Sequence, residues 1–346
     1  MPLIVPRARA AFPAARYSLS FPDAASVLYC MYDLYAFHQR SSMRHFIDLC
    51  DWSSSDLREI LNLALTLKAE WRNGGNQPLF HGKALGMIFQ KPSLRTRVSF
   101  EMAMQHLGGH ALYIGPDEIG LGKRESVADV ARVMAGYVQF VMARVFAHAH
   151  VVELAKWSSV PVINGLSDAA HPCQAMADVL TILEHFGTTD GLKVAFVGDG
   201  NNVASSLMQG AAHFGMDFTI ASPPGYEFSE DVVDTAANIR SGFKINMMHD
   251  PIAAVRDADV IYTDTWISMG QEAETAMRVE AFKGYQVNEE LVAHASPNAI
   301  VLHCLPAHRG QEITDPVADG THSAIFQQAE NRLHAQKAVL VTLASS

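Results

Sequence analysis

The sequence predicts an α/β protein of two domains, each a mostly parallel sheet flanked by helices. Three observations predict it. Short apolar runs alternate with helical stretches along most of the chain, the pattern of parallel sheets covered on both faces. Several helical stretches close on glycine, at Gly108, Gly187 and Gly215, the residue that most readily caps a helix C-terminus. The length of 346 residues, with 49% hydrophobic and 18% charged, suits two cores at roughly 150 residues per domain and argues against disorder along most of the chain.

The elements follow in order. Residues 1–42 stand apart: Arg7, Arg9, Arg16 and Arg40 face only Asp23 and Asp33, and no helical or strand period runs through them. They are expected to be an upstream extension ahead of a start at Met43, the alternative being an organelle transit peptide, which is arginine-rich and acid-poor. From Ser53, Leu57, Ile60, Leu61, Ala64 and Leu65 recur at helical spacing. Buried strands are expected at Ala84–Phe89, 111–114, 138–143, 160–163, 194–197, 218–221, Ile245–Met248, Val260–Thr263 and 300–302. Helices are expected at 94–107, Val127–Ala135, 175–185, 204–214 and 328–343. The stretch Thr188–Gly191 separates a helix from a new strand and sets the domain boundary. Residues 43–187 then form one domain and 188–327 the other.

Composition excludes several functions. A formal net charge of −10 is a poor footprint for nucleic acid. No apolar run approaches the ~20 residues of a membrane span. The four cysteines, Cys30, Cys50, Cys173 and Cys304, form no CxxC pair, so a reduced compartment, the cytoplasm, is expected, with no zinc knuckle. The sixteen histidines lack a matching acid or cysteine set, so no metal is assigned.

Ligands of open parallel sheets bind beyond the strand carboxyl ends, and the polar residues gather there. Ser93-Leu94-Arg95-Thr96-Arg97 opens a helix after a strand; free N–H groups, the helix dipole and fork-shaped guanidiniums suit a phosphate. Arg97 can equally brace Glu101 at i+4. Arg144 follows another strand, and His171-Pro172-Cys173-Gln174 heads a long helix, where proline favours the first turn. Gly198-Asp199-Gly200-Asn201-Asn202 tempts a dinucleotide reading, but the third glycine position holds Val203 and no acid ends the next strand. Asp264 after a strand suits an ammonium group. His303 and Cys304, adjacent on a strand, should face opposite sides, which argues against a nucleophilic dyad.

Taken together, SLRTR, Arg144 in RVFAH, HPCQ, GDGNN, DTWISMGQE, HCLPAHRG and AENRLHAQKA resemble the aspartate/ornithine carbamoyltransferase family, in its ornithine branch, from Arg44 to the end of the chain. The resemblance implies a carbamoyl-phosphate site lined by Ser93, Leu94, Arg95, Thr96, Arg144, His171, Pro172, Cys173, Gln174, Cys304, Leu305 and Arg332. It implies an ornithine site of Asn202, Asp264, Ser268 and Met269, with Arg95, His171, Asp264 and Cys304 in the chemistry. It further implies an active site in the cleft between the two domains, the last helix, about 328–346, packing back on the first domain, carbamoyl phosphate and L-ornithine as substrates, a homotrimer or a multiple of it, and no cofactor. Leu94 and Gly120 depart from the family pattern, Gly120 standing where many members carry a glutamine; Ala135-Gly136 replaces a common Ser-Arg.

The chemistry is consistent. Guanidiniums would neutralise the phosphate, while His171 and Thr96 would bond the carbonyl oxygen as its charge grows. Presenting an amine of pKa ~10.4 neutral at pH 7 costs about 4.6 kcal/mol at 1.36 per pH unit, a cost that desolvation in a closed cleft would lower; the resemblance implies Cys304, with Asp264, as the proton relay.

Overall fold

In the computed structural model, residues 43–267 and 272–345 are described; the reading of residues 1–42 as an extension lies outside them. Ser53 caps helix α1 (Ser54–Arg72) by accepting from the Asp56 N–H. Four strands follow: β1 (Ala84–Phe89), β2 (His110–Ile114), β3 (Phe140–Arg144) and β4 (Val162–Leu166). Between and after them lie α2 (Leu94–His106), α3 (Val127–Ala135), α4 (His148–Trp157) and α5 (Pro172–Phe186). The second set of strands is β5 (Lys193–Val197), β6 (Asp217–Ala221), β7 (Ile245–Met248), β8 (Val260–Thr263) and β9 (Ile300–His303). Helices α6 (Asn202–His213), α7 (Glu230–Ala237), α8 (Pro251–Val255) and α9 (Thr275–Ala281) connect them, and α10 (Ile325–Ala344) ends the fold.

Both sheets are wholly parallel, with strand orders β2-β1-β3-β4 and β7-β6-β5-β8-β9. Each order reverses once, between β1 and β3 and between β5 and β8. A crevice opens at such a reversal, beyond the strand carboxyl ends. Buried residues of both sheets, α1, α5, α6 and α10 share one core, and α10 packs on α1, α2 and α5.

Several expected bounds shift. The strands expected at 138–143 and 160–163 run on to Arg144 and Leu166. Helix α5 starts at Pro172, α6 at Asn202 and α10 at Ile325, ahead of the expected 175, 204 and 328. Among the described residues no helix is long and apolar enough to cross a membrane.

Candidate active site

A cleft of about 1060 Å3 lies where the two reversals face each other. One wall comes from the loops after β1 and β3, the other from those after β5, β8 and β9.

The first wall is cationic. Ser93 caps α2, its Oγ accepting from the Thr96 N–H at 3.4 Å, so the helix N-terminus opens on the cleft beside Lys91, Leu94 and Arg95. The β1–β3 pairing sets Phe89 opposite Arg144, which carries that guanidinium to the same place. Arg332 arrives from mid-α10 and also lines the cleft. Thr96 stands behind, fully buried, its Oγ1 accepting from Arg144 at 3.4 Å and from Arg332 at 3.1 Å. Thr96 thus braces the arginines and does not line the cleft itself.

None of the described carboxylates forms an ion pair with Arg95, Arg144 or Arg332. The Nε atoms of Arg144 and Arg332 are buried without a partner. Burial, with Arg332 and Arg95 repelling it, pulls the Arg144 guanidinium down to about 10, and burial lowers Arg95 and Arg332 too. Cations held this way lack an anion. Arg97, by contrast, turns outward, donates to Glu101 at 2.9 Å and covers the Tyr113 ring, the structural role that its spacing allowed.

His171 lines the cleft, its backbone N–H donating to Ser206 Oγ at 2.8 Å. Burial, then Arg332, Arg144 and Arg95, push its pKa well below the usual histidine value, so the ring is neutral. Its Nδ1 has no partner. Of the other HPCQ residues, Pro172 and Cys173 lie beneath the wall. The Cys173 thiol is fully buried, donates to the Asn164 carbonyl at 3.5 Å and is pushed up to about 12 by burial. Gln174 is buried one turn below His171.

The opposite wall holds the acid. Asp264 follows β8; its Oδ1 accepts from the Cys304 thiol at 3.0 Å and its Oδ2 from Asn201 Nδ2 at 3.0 Å. Burial first, then Asp264, raise the Cys304 pKa well above the usual thiol value, so the sulfur keeps its proton. Asn202 Nδ2 donates to the Ser167 carbonyl at 2.6 Å. Leu305 also lines the cleft. Ser268 and Met269 lie outside the described residues.

The expectation that His303 and Cys304 face opposite sides is corrected. The strand ends at His303, and Leu305 adopts a positive φ of 58°, so strand alternation no longer applies at Cys304. Asp264, His303 and Cys304 bring their ligand-type atoms within 4.8 Å of one another, so this histidine does have an acid and a cysteine beside it. Both ring nitrogens are nonetheless engaged: Nδ1 accepts from the Leu305 N–H at 2.9 Å and Nε2 lies 3.1 Å from Glu312.

The second glycine of GDGNN has a reason without a nucleotide: a Cβ at Gly200 would lie 2.8 Å from the Phe228 nitrogen. Gly120 ends the helical turn Pro116–Ile119 at φ 56°, where a Cβ would meet Arg124 at 2.9 Å; a glutamine would be strained there. Nothing in the structure explains the Ala135-Gly136 departure. Sequence reasoning passed over Lys91, Asp199, Asn201 and His308, all in the cleft. Asn201 adjoins the selected Asn202, and Lys91 lies two residues before the selected Ser93; that proximity was the available signal.

Residues 44–184 match the family model described as aspartate/ornithine carbamoyltransferase, carbamoyl-P binding domain, and residues 190–343 its Asp/Orn binding domain. The chain is similar to the ornithine carbamoyltransferase of Pyrococcus abyssi, 53% identical over 302 residues, covering 87% of this chain and 95% of that one. The same enzyme of Symbiobacterium thermophilum is 52% identical over 302 residues, 87% of this chain and 97% of its own. A solved ornithine carbamoyltransferase from Pyrococcus furiosus superposes with a TM-score of 0.84 at 53% identity, covering 87% of this chain and 96% of that one.

Proposed function

The chain belongs to the aspartate/ornithine carbamoyltransferase family, and from that premise we propose that it transfers the carbamoyl group of carbamoyl phosphate to the side-chain amine of L-ornithine, giving L-citrulline and phosphate. One observation carries the reading: three guanidiniums without carboxylate partners, Arg332 buried and Arg95 and Arg144 half-buried, converge at one wall of a cleft whose other wall presents Asp264.

Arg95, Arg144, Arg332 and the α2 N-terminus hold the phosphate. Neutral His171 donates to the carbonyl oxygen as the amine lone pair attacks the carbon. The carbon–oxygen bond to phosphate then breaks. The cationic wall takes up the charge gathering on the departing phosphate, which accepts the last proton from the attacking nitrogen and leaves as hydrogen phosphate dianion. Asp264 pairs with the incoming ammonium, and the Cys304 thiol, already hydrogen-bonded to it, relays the proton that frees the lone pair. Asn202, Ser268 and Met269 hold the amino-acid head. The substrate supplies the nucleophile, so the chemistry asks nothing of a metal or cofactor.

Residues 43–187 serve carbamoyl phosphate and 188–327 ornithine, in a cytoplasmic homotrimer or a multiple of it. The test is a colorimetric citrulline assay of the purified protein with both substrates, and with aspartate or putrescine replacing ornithine. Ornithine should far exceed putrescine, with aspartate inactive, because a second carboxylate would meet Asp264. Absence of citrulline overturns the reading. Equal rates with putrescine leave only the broader carbamoyltransferase assignment.

A further inference from the structure

Beneath the cleft lies a carboxyl group that the proposed reaction does not use. Asp178 sits on α5, fully buried. Its Oδ1 accepts from Gln174 Nε2 at 2.8 Å and from Gln328 Nε2 at 2.7 Å. The direction of these bonds follows from a backbone group whose role is not in question. The His303 N–H donates to Gln328 Oε1 at 2.9 Å. That fixes the Gln328 carboxamide with its NH2 toward Asp178, and also toward the Tyr262 hydroxyl at 3.0 Å. Position 178 must therefore present an acceptor. An acceptor there turns the Gln174 NH2 toward it as well, and Gln174 Oε1 is left buried without a partner.

Gln174 lies three residues beyond His171, on the same helical face, and His171 lines the cleft. A buried carbonyl oxygen without a donor is costly. Of the groups on an acyl phosphate, only a carbamoyl NH2 can donate to it; an acetyl methyl cannot.

We propose that Asp178 is a positioning residue that sets acyl-group specificity: through Gln174 it keeps a carbonyl oxygen turned to the acyl end of the site, so that a carbamoyl NH2 is accepted and a methyl is not. The proposal rests on the reading of the cleft as a carbamoyl-phosphate site. Protonation of Asp178 leaves it intact, because Oδ2 has no partner and can carry the proton while Oδ1 still accepts.

The experiment is calorimetric titration with carbamoyl phosphate, acetyl phosphate and inorganic phosphate, on the wild type, Asp178→Asn and Asp178→Leu. Wild type should bind carbamoyl phosphate at least tenfold more tightly than acetyl phosphate. Asp178→Asn keeps an oxygen facing Gln328, so its preference should stay within about threefold of wild type. Asp178→Leu frees the Gln174 carboxamide and should lose most of the preference, while inorganic phosphate, held by the arginines, binds as in wild type. A folded Leu variant with its preference intact overturns the proposal. So does an Asn variant that loses the preference. If the Leu variant does not fold, Asp178→Ala, which also removes the acceptor but without adding bulk, takes its place and must lose the preference for the proposal to stand. Failure of the wild type to bind carbamoyl phosphate would instead overturn the functional reading itself.

Discussion

Replacing Arg144 by methionine should make the empty protein more stable and the liganded protein less so. The guanidinium is drawn from 12.5 to about 10 by burial and by Arg332 and Arg95. At 1.36 kcal/mol per pH unit, that is about 3 kcal/mol against the charged form in the folded state at pH 7. Methionine fills similar space without charge and gives up little bonding, since the contact to Thr96 is long at 3.4 Å. The unliganded variant should melt several degrees higher, at roughly 2–4 °C per kcal/mol. Removing a buried partner of the phosphate should cost ~2–5 kcal/mol of affinity, at least about 30-fold. Carbamoyl phosphate at about 100 times the wild-type Kd stabilises that protein by about 2.7 kcal/mol, and the variant by about 0.9 kcal/mol. Thermal melts with and without the ligand read both effects. A variant that melts lower when empty, or that keeps the full ligand-induced shift, refutes the assignment of Arg144 to an anion site.

Arg95→Ala should weaken carbamoyl-phosphate binding by about 30-fold or more in calorimetry, whereas Arg97→Ala should leave it unchanged and cost only about 0.5 kcal/mol of stability from the exposed pair with Glu101. Asp264→Asn should lower citrulline turnover at least ~100-fold while carbamoyl phosphate still binds. Cys304→Ser should lower turnover less, because a hydroxyl can donate to Asp264 as the thiol does; steady-state kinetics of the two variants orders them. Burial raises Asp178 from 3.8 to about 7, so between about pH 4 and 7 the folded state holds a proton that the unfolded state has released. The contribution of this group to stability should fall as pH rises through that window and level off above it. Urea unfolding of wild type against Asp178→Asn from pH 5 to 8 should show the difference closing in that direction.

The central strands were legible because both faces of the sheets are covered there: Ala84–Phe89 and Val260–Thr263 read as apolar runs and fold as buried strands. Ile245–Met248 keeps its expected bounds but not its expected burial, because it lies at a sheet edge with Asn246 and Met247 exposed. Misplaced ends occur where the fold puts polar residues in strand positions. Arg144 closes β3 because the cleft needs a cation there. Asn164 lies inside β4, fully buried, with its Nδ2 donating to the Ile47 carbonyl at 3.0 Å and to Ser167 Oγ at 3.1 Å. Hydropathy stops at such residues, although a satisfied buried amide is compatible with a strand. The apolar period sets in only a few residues after each helix begins, so it placed the starts late: Pro172 occupies the first turn that its residue type favours, and Asn201, accepting from the Val203 and Ala204 N–H groups, caps α6 one residue ahead of Asn202.

The candidate site was legible one segment at a time and not as a constellation. Arg95 stands out because a capped helix start precedes it. Arg332 does not: a lone arginine in the middle of a helix has no local mark separating it from a solvated one, and only the resemblance pointed to it. What makes it a cleft residue is the packing of α10 across α2, which brings its guanidinium to Thr96 at 3.1 Å. The same packing creates the unpaired charge. A chain with ten excess negative charges has carboxylates enough to neutralise three arginines, and Lys68, Arg278 and Arg309 all find acids. Pairing Arg95, Arg144 and Arg332 in that way would relieve their desolvation and would also fill the place of the phosphate. On the proposed reading, their isolation from acids has a physical reason in an anion that binds and leaves. The cost of the empty state is borne by the large apolar core behind Thr96, which α2, α5 and α10 share.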